Sequence, residues 1–271
     1  MTLLSRVSVR VYSDPDTHDR FLRDEVPKLL ESLPPAVDRW FFLRYADEAG
    51  PHLRLRLHTG EQDGSASLLP LMRKWISPLI SSGRARDIYV DSYRPETARY
   101  GSGETLQAVE RLFHRDSETV LEQLRQPCAG SDSYHLAANY ADLLGAFGSW
   151  DWTAWVAHII PERTRIAADD RARARTLLAE RAGAVCVGDD SVAPWIRSAQ
   201  AERRRIEAER YGAAIGVTSE WDDVVAARIA SVLHMHANRR SGTDPAREDA
   251  AWGILRHAVR ALTGRRRARW E

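Results

Sequence analysis

The segment WFFLRYADEAGPHLRLRLH, residues 40–58, sets Arg44, Arg54 and Arg56 among large apolar side chains. A strand alternates its faces with period two, so His52, Arg54, Arg56 and His58 share one face while Leu53, Leu55 and Leu57 share the other. Two guanidiniums two residues apart make a clamp about 7 Å long, able to grip a carboxylate bidentately at each end. Arginines on a sheet face are most often simply solvated, so the pair alone leaves two uses open: a wet face or a site for an anion.

Three further clusters carry ionisable groups. YRPETARYG, residues 93–101, places Tyr93, Glu96, Arg99 and Tyr100 in a polar segment after a strand, where loop function concentrates. ERLFHRDS, residues 110–117, sets Glu110, Phe113 and Ser117 near one helix face, a pattern that suits core packing with one buried polar contact. In SVLHMHANR, residues 231–239, His234 and Asn238 stand at i and i+4 and share a face, whereas His236 points elsewhere. A helical zinc pair wants histidines at i and i+4, which His-x-His does not supply. This segment by itself leaves His234 as a satisfied structural histidine or an acid/base group, and favours the structural role.

The elements that must position these groups follow from periodicity. Residues 6–12 (RVSVRVY) alternate as a strand, and Ser13-Asp14-Pro15 starts a helix that Pro34-Pro35 ends. Residues 40–45 and 52–58 form a hairpin across Asp47-Glu48-Ala49-Gly50-Pro51. Residues 68–80 have helical spacing, and 87–93 are again a strand. The order β-α-β-β-α-β is that of a ferredoxin-like antiparallel sheet with helices on one face, over residues 1–103. A mainly helical part follows over 104–271, with helices at 105–124, 134–147, 152–180, 192–210, 221–239 and 248–262. The breaks between them fall at Gly130-Ser131, Gly188–Asp190, Gly216–Ser219 and Ser241–Pro245. The fold class is therefore α+β, and both parts are expected to form one functional domain.

Composition narrows the function classes. The chain has 271 residues, 44% of them hydrophobic, enough for one large core or two smaller ones. Its 39 basic and 38 acidic residues nearly cancel, so no global field points to nucleic acid or membrane, and anion recognition must be local. No run approaches the ~20 apolar residues of a membrane span, and the N-terminus has no signal-peptide pattern. Cys128 and Cys186 lack the paired spacing of a metal site and suit a reducing cytoplasm. No phosphate-cradling glycine motif or metal motif is visible, so neither cofactor nor metal is expected.

Together WFFLRY…GPHLRLRL, YRPETARYG, ERLFHRDS and LHMHANR, in this order and at these intervals, resemble the C-terminal domain of lantibiotic dehydratases, including its stand-alone relatives in thiopeptide pathways. The resemblance runs from the first strand to the helix holding Asn238. It implies a lyase that eliminates glutamate from a glutamylated Ser or Thr of a ribosomal precursor peptide, leader plus core, leaving dehydroalanine or dehydrobutyrine. A separate tRNA-dependent glutamylating protein would supply the substrate, because 271 residues are too few for both activities, and would keep the tRNA to itself.

Carried over position by position, the resemblance makes Arg54, Arg56 and Arg99 the functional arginines, Glu96 their acidic partner and His234 the essential histidine. Around them Arg44, His52, Tyr93, Tyr100, Asn238 and Arg239 are expected to bind substrate. YRPET departs from the Tyr-Glu-Arg-Glu of full-length lantibiotic dehydratases and is closer to the thiopeptide-type branch. The same family includes pyridine synthases, which join two dehydroalanines by a [4+2] cycloaddition with loss of water and leader peptide. A non-catalytic peptide-binding subunit is the alternative from another class. The apolar hairpin residues Trp40, Phe41 and Phe42 could serve the core or a homodimer contact.

Overall fold

The structure, a computed structural model, describes residues 6–59, 64–126, 131–161, 166–181, 198–219 and 222–267. Both cysteines, the break at 188–190, Trp221 and the last residues of the basic tail lie outside them. The chain divides into two compact units, Met1–Pro127 and Cys128–Glu271.

The first unit is built on four antiparallel strands, β1 (Arg6–Tyr12), β2 (Val37–Asp47), β3 (Gly50–Thr59) and β4 (Asp87–Ser92), in the order β2-β3-β1-β4. This is the ferredoxin-like order expected. Val7, Val9 and Val11 of β1 and Leu53, Leu55 and Leu57 of β3 point to one face. There they join Phe21 and Leu22 of α1 (His18–Asp24), Val26 and Leu29 of α2 (Val26–Ser32), and Leu68, Met72 and Leu79 of α3 (Gly64–Ser81) in one core. Strict alternation in β1 and β3 is what lets one face be apolar and the other charged. The helix expected after β1 is broken: a 3-10 turn over Pro15–Thr17 leads into α1, and Glu25 separates α1 from α2, whose first turn holds Pro27. Proline at that position has no amide hydrogen to continue the preceding helix.

Beyond the short α4 (Thr97–Tyr100), in a segment expected to be a loop, α5 (Glu104–Arg125) packs along edge strand β2. Val120 and Leu121 of α5 enter the sheet core. The His114 Nδ1–H donates to the Trp40 carbonyl at 2.9 Å, and the Phe42 amide donates to Ser117 Oγ at 3.3 Å. Side chains of α5 thus satisfy main-chain groups that an edge strand would otherwise expose. The expected division at 103/104 accordingly moves to the end of this helix, because α5 is bonded to the sheet. Trp40, Phe41 and Phe42 are all buried within the chain: Trp40 and Phe42 join the sheet core, while Phe41 lies on the other face against Phe113 and Tyr93.

The second unit is helical. Its central helix, α6 (Asp132–Ala146), is buried at every residue from Ser133 to Leu144, as a helix surrounded by others must be. Around it stand α7 (Trp152–Ile159), α8 (Ala168–Arg181), α9 (Ala199–Ile215), α10 (Asp223–Ser241) and α11 (Pro245–Arg267). The single helix expected over 152–180 is two, with Pro161 following the end of α7. Side-chain caps start several helices: Ser131 accepts from the Tyr134 amide, Asp151 from Ala154, Ser198 from Ala201, and Asp222 from Val224 and Val225. At Gly212 of α9 an added Cβ would lie 1.8 Å from the Phe147 carbonyl oxygen, so only glycine permits this approach. Arg204 of α9, fully buried, donates to Asn139 Oδ1 at 2.8 Å and to Asp142 Oδ2 at 2.9 Å on α6. Among the described residues no helix is long and apolar enough to cross a membrane.

Candidate active site

The face of the sheet opposite the helical core is dense with arginine. Register sets the arrangement: Arg54 stands between Leu43 of β2 and Arg10 of β1, and Arg56 between Phe41 and Ser8. Arg6, Arg10 and Arg39 on this face are neutralised. Arg6 pairs with Glu110 at 3.1 Å, Arg10 with Asp91 at 3.3 Å and Asp47 at 3.7 Å, and Arg39 with Asp38 at 3.4 Å. Arg54 and Arg56 differ: among the described residues neither has a carboxylate within ion-pair distance, 4.0 Å.

Aromatic and imidazole groups hold these two cations instead. The Arg54 guanidinium carbon lies 3.5 Å from the ring centroid of Tyr45, a cation–π contact. Its Nε donates to His52 Nε2 at 3.0 Å, while the His52 Nδ1–H donates to the Gly50 carbonyl at 3.1 Å. His52 is fully buried, and burial holds its pKa below the ordinary imidazole value, so it stays neutral and able to accept. Arg56 sits 4.7 Å from the Tyr93 ring centroid, and its Nε is buried without a hydrogen-bond partner. Burial, and then the Arg54 charge, lower the Arg56 pKa, with Asp91 and Glu96 opposing. Tyr93 is raised above the ordinary phenol value by burial and by Glu110, which keeps its ring neutral beneath the guanidinium. Two adjacent guanidiniums, one with an unsatisfied buried donor, have the donor chemistry that an anion complements.

Other expected site residues are distributed differently. Glu96 and Arg99 pair with each other at 3.3 Å, both about half exposed, across the single turn of α4. Tyr100 is buried edge-on against Phe113 at 5.2 Å. Arg44 faces the opposite side of the sheet, where it is buried and pairs with Asp19 of α1 at 2.5 Å. The alternation of β2 requires this, since Arg44 is opposite Leu53 in register. Arg44 is therefore removed from the Arg54–Arg56 face.

In the second unit His234 is exposed on α10, with its side chain 57% accessible, and Nδ1 lies 2.8 Å from Glu248 Oε2 of α11. The Tyr140 hydroxyl donates to the other Glu248 oxygen at 3.1 Å. Burial favours the neutral acid at Glu248, but hydrogen bonds from His234, Tyr140 and Trp252 outweigh it and hold the carboxyl below its ordinary value. A carboxylate on Nδ1 fixes the tautomer that leaves Nε2 as the basic atom. Asn238 and Arg239, expected to touch substrate, are buried at 9% and 0% accessibility. Their spacing from His234 is helical, but only His234 reaches the surface.

Glu248, Tyr140 and Tyr45 were not singled out by sequence patterns. Tyr45 was within reach, since the turn at Glu48-Ala49 places it opposite His52 and on its face. Glu248 and Tyr140 come from other helices, and no local spacing links them to His234. Among the described residues no group of three or more His, Cys, Asp or Glu is placed to hold a metal ion.

The family model for the lantibiotic biosynthesis dehydratase C-terminal region matches residues 7–259. The subtilin biosynthesis protein SpaB of Bacillus subtilis is 26% identical over 234 residues, 82% of this chain and 22% of SpaB. The tRNA-dependent lantibiotic dehydratase MibB from Microbispora sp. 107891 superposes with a TM-score of 0.82 at 27% identity, over 97% of this chain and 28% of MibB. The pyridine synthase TbtD from thiomuracin biosynthesis superposes with a TM-score of 0.56 at 16% identity, over 96% of this chain and 99% of TbtD, a likeness of fold alone. The chain thus spans 22% of the length of SpaB and 28% of that of MibB. On the match across residues 7–259, this chain belongs to the lantibiotic biosynthesis dehydratase C-terminal family.

Proposed function

We propose that the chain eliminates glutamate from glutamylated Ser or Thr residues of a ribosomal precursor peptide, with the glutamyl group installed by a tRNA-dependent partner domain or protein. The observation that carries this reading is the Arg54–Arg56 pair. Both cations lack a carboxylate among the described residues, beside three arginines on the same face that each have one. The departing group is a carboxylate, the ligand such a pair complements. Family membership and the 27% identity to MibB support the dehydratase chemistry.

The reaction removes the Cα proton, uses its electron pair to form the Cα=Cβ bond, and breaks the Cβ–O bond so that glutamate leaves as an anion. Arg54 and Arg56 receive that anion. Arg99 supports the enolate or the second carboxylate, and Glu96 orients Arg99 through their ion pair. Within the helical unit, His234, steadied by Glu248, is the acid/base candidate of this reading.

The test is mass spectrometry of a glutamylated precursor peptide after incubation with the protein and with its Arg54→Ala and His234→Ala variants. Loss of glutamate with dehydration is expected, slowed about 10²–10⁴-fold where an acid/base group is removed. A variant that eliminates at the unaltered rate removes its residue from the site. If the glutamylated peptide is untouched while a dehydrated peptide is cyclised and loses its leader, the protein is a pyridine synthase. Peptide binding without turnover of either substrate would make it a binding subunit.

A further inference from the structure

A second concentration of positive charge lies within the helical unit, two to three turns along α11 from Glu248. Arg171 and Arg175 stand at i and i+4 on α8, which packs against α11. From α11 come Arg256, His257 and Arg260. Arg171, Arg256, His257 and Arg260 line a cavity of about 220 Å³ whose apolar wall includes Pro161 and Ile166. Burial, then Arg171, Arg175 and Arg260, lower the His257 pKa, and no acidic group offsets them. Arg171, Arg175, His257 and Arg260 form no ion pair among the described residues.

Such a cluster is unfavourable in isolation, since like charges at i and i+4 on a helix repel one another. The near-balance of 39 basic and 38 acidic residues makes the local excess stand out. Arg6, Arg10, Arg84, Arg205 and Arg247 elsewhere in the chain all have acidic partners. A single carboxylate would engage one fork and leave most of this charge uncompensated. A phosphate group carries up to two charges and several acceptor oxygens, so it can engage two or three guanidiniums at once. Among the described lining residues His257 alone has an aromatic ring on which a base could stack, so recognition would rest on the phosphate itself.

We propose that this cavity is a phosphate-binding site, for a free phosphate compound or for the backbone phosphate of a polynucleotide. The proposal does not depend on the elimination reading. It is tested by calorimetric titration of the full chain at low salt with inorganic phosphate, pyrophosphate, glutamate and a single-stranded oligonucleotide. The measurements are repeated on Arg171→Ala/Arg260→Ala, with the exposed Arg203→Ala as a control and circular dichroism as a check of folding. Saturable binding of pyrophosphate is expected, weakened about ten-fold or more in the double variant by the loss of two charge-assisted contacts. Arg203→Ala should bind as the unaltered protein does. An oligonucleotide that binds and is displaced by pyrophosphate identifies a polynucleotide as the source, whereas pyrophosphate binding without oligonucleotide binding identifies a small phosphate compound. Absence of saturable phosphate and pyrophosphate binding, equal affinity in the double variant, or tighter binding of glutamate than of phosphate at this site each overturns the proposal.

Discussion

Arg54 Nε donates to Nε2 of the fully buried His52 at 3.0 Å, and His52 in turn is fixed by its Nδ1–H on the Gly50 carbonyl. A neutral imidazole therefore orients the guanidinium without cancelling its charge, which a carboxylate in the same place would do. His52 is a positioning residue on this account. His52→Ala should lower kcat/KM for the glutamylated peptide about 10-fold or more by misplacing Arg54. His52→Gln, which keeps an acceptor, should recover part of the loss. Equal defects in the two variants would assign His52 a packing role only.

The His234–Glu248 contact yields a second prediction. Glu248→Gln removes the charge but keeps a hydrogen-bonding oxygen, so the protein should fold. Its elimination rate should fall about 10–10²-fold, within the range of acid/base contributions. Because an imidazolium at His234 would lose a neighbouring negative charge, the acidic limb of the pH–rate profile should move to lower pH. A profile identical to that of the unaltered protein would separate Glu248 from the chemistry.

Stability should depend on pH through buried histidines of the first unit. Burial, then Arg44, pushes His18 down to about 4, and burial likewise lowers His52 and His114. These groups stay neutral when folded but bind protons when unfolded below the ordinary value of about 6.5, so the unfolded state gains protons first. Stability is fully present above pH 6.5 and falls as pH drops toward about 4, by an amount of order 3 kcal/mol for His18 alone. Urea melts at pH 7 and pH 5 would measure the difference, and His18→Gln should flatten it.

In the helical unit the test of stability is Arg204. Removing it takes one arginine from the buried Asp142 carboxylate and leaves the partly exposed Arg205, at 3.2 Å, beside it. Arg204→Ala should destabilise this unit by about 3–5 kcal/mol, the usual effect of breaking a buried pair. A shift in thermal midpoint too small to resolve would show that Arg205 and solvent compensate.

What was legible in the sequence follows from the range of the signals. Alternation in residues 6–12 and 52–58 placed the arginines on one face and the leucines on the other, because side-chain direction along a strand is set locally. Arg44 was named beside Arg54 and Arg56, but it is opposite Leu53 in register and so lies on the far side of the sheet. The structural fates of Asn238 and Arg239 depend on what packs around α10, and helical spacing from His234 carries no such information. Glu248 and Tyr140 meet His234 only through tertiary packing. The division at 103/104 followed the change from strand to helix periodicity, which is blind to a helix that serves a sheet.

That last helix bears on how the protein can be cut. With His114 and Ser117 of α5 bonded to the backbone of Trp40 and Phe42, the outer strand is sealed by a segment later in the chain. A fragment ending near residue 103 would keep every strand and still present β2 as a bare template for another copy, inviting edge-to-edge association. Excision after α5 would carry its own seal with it.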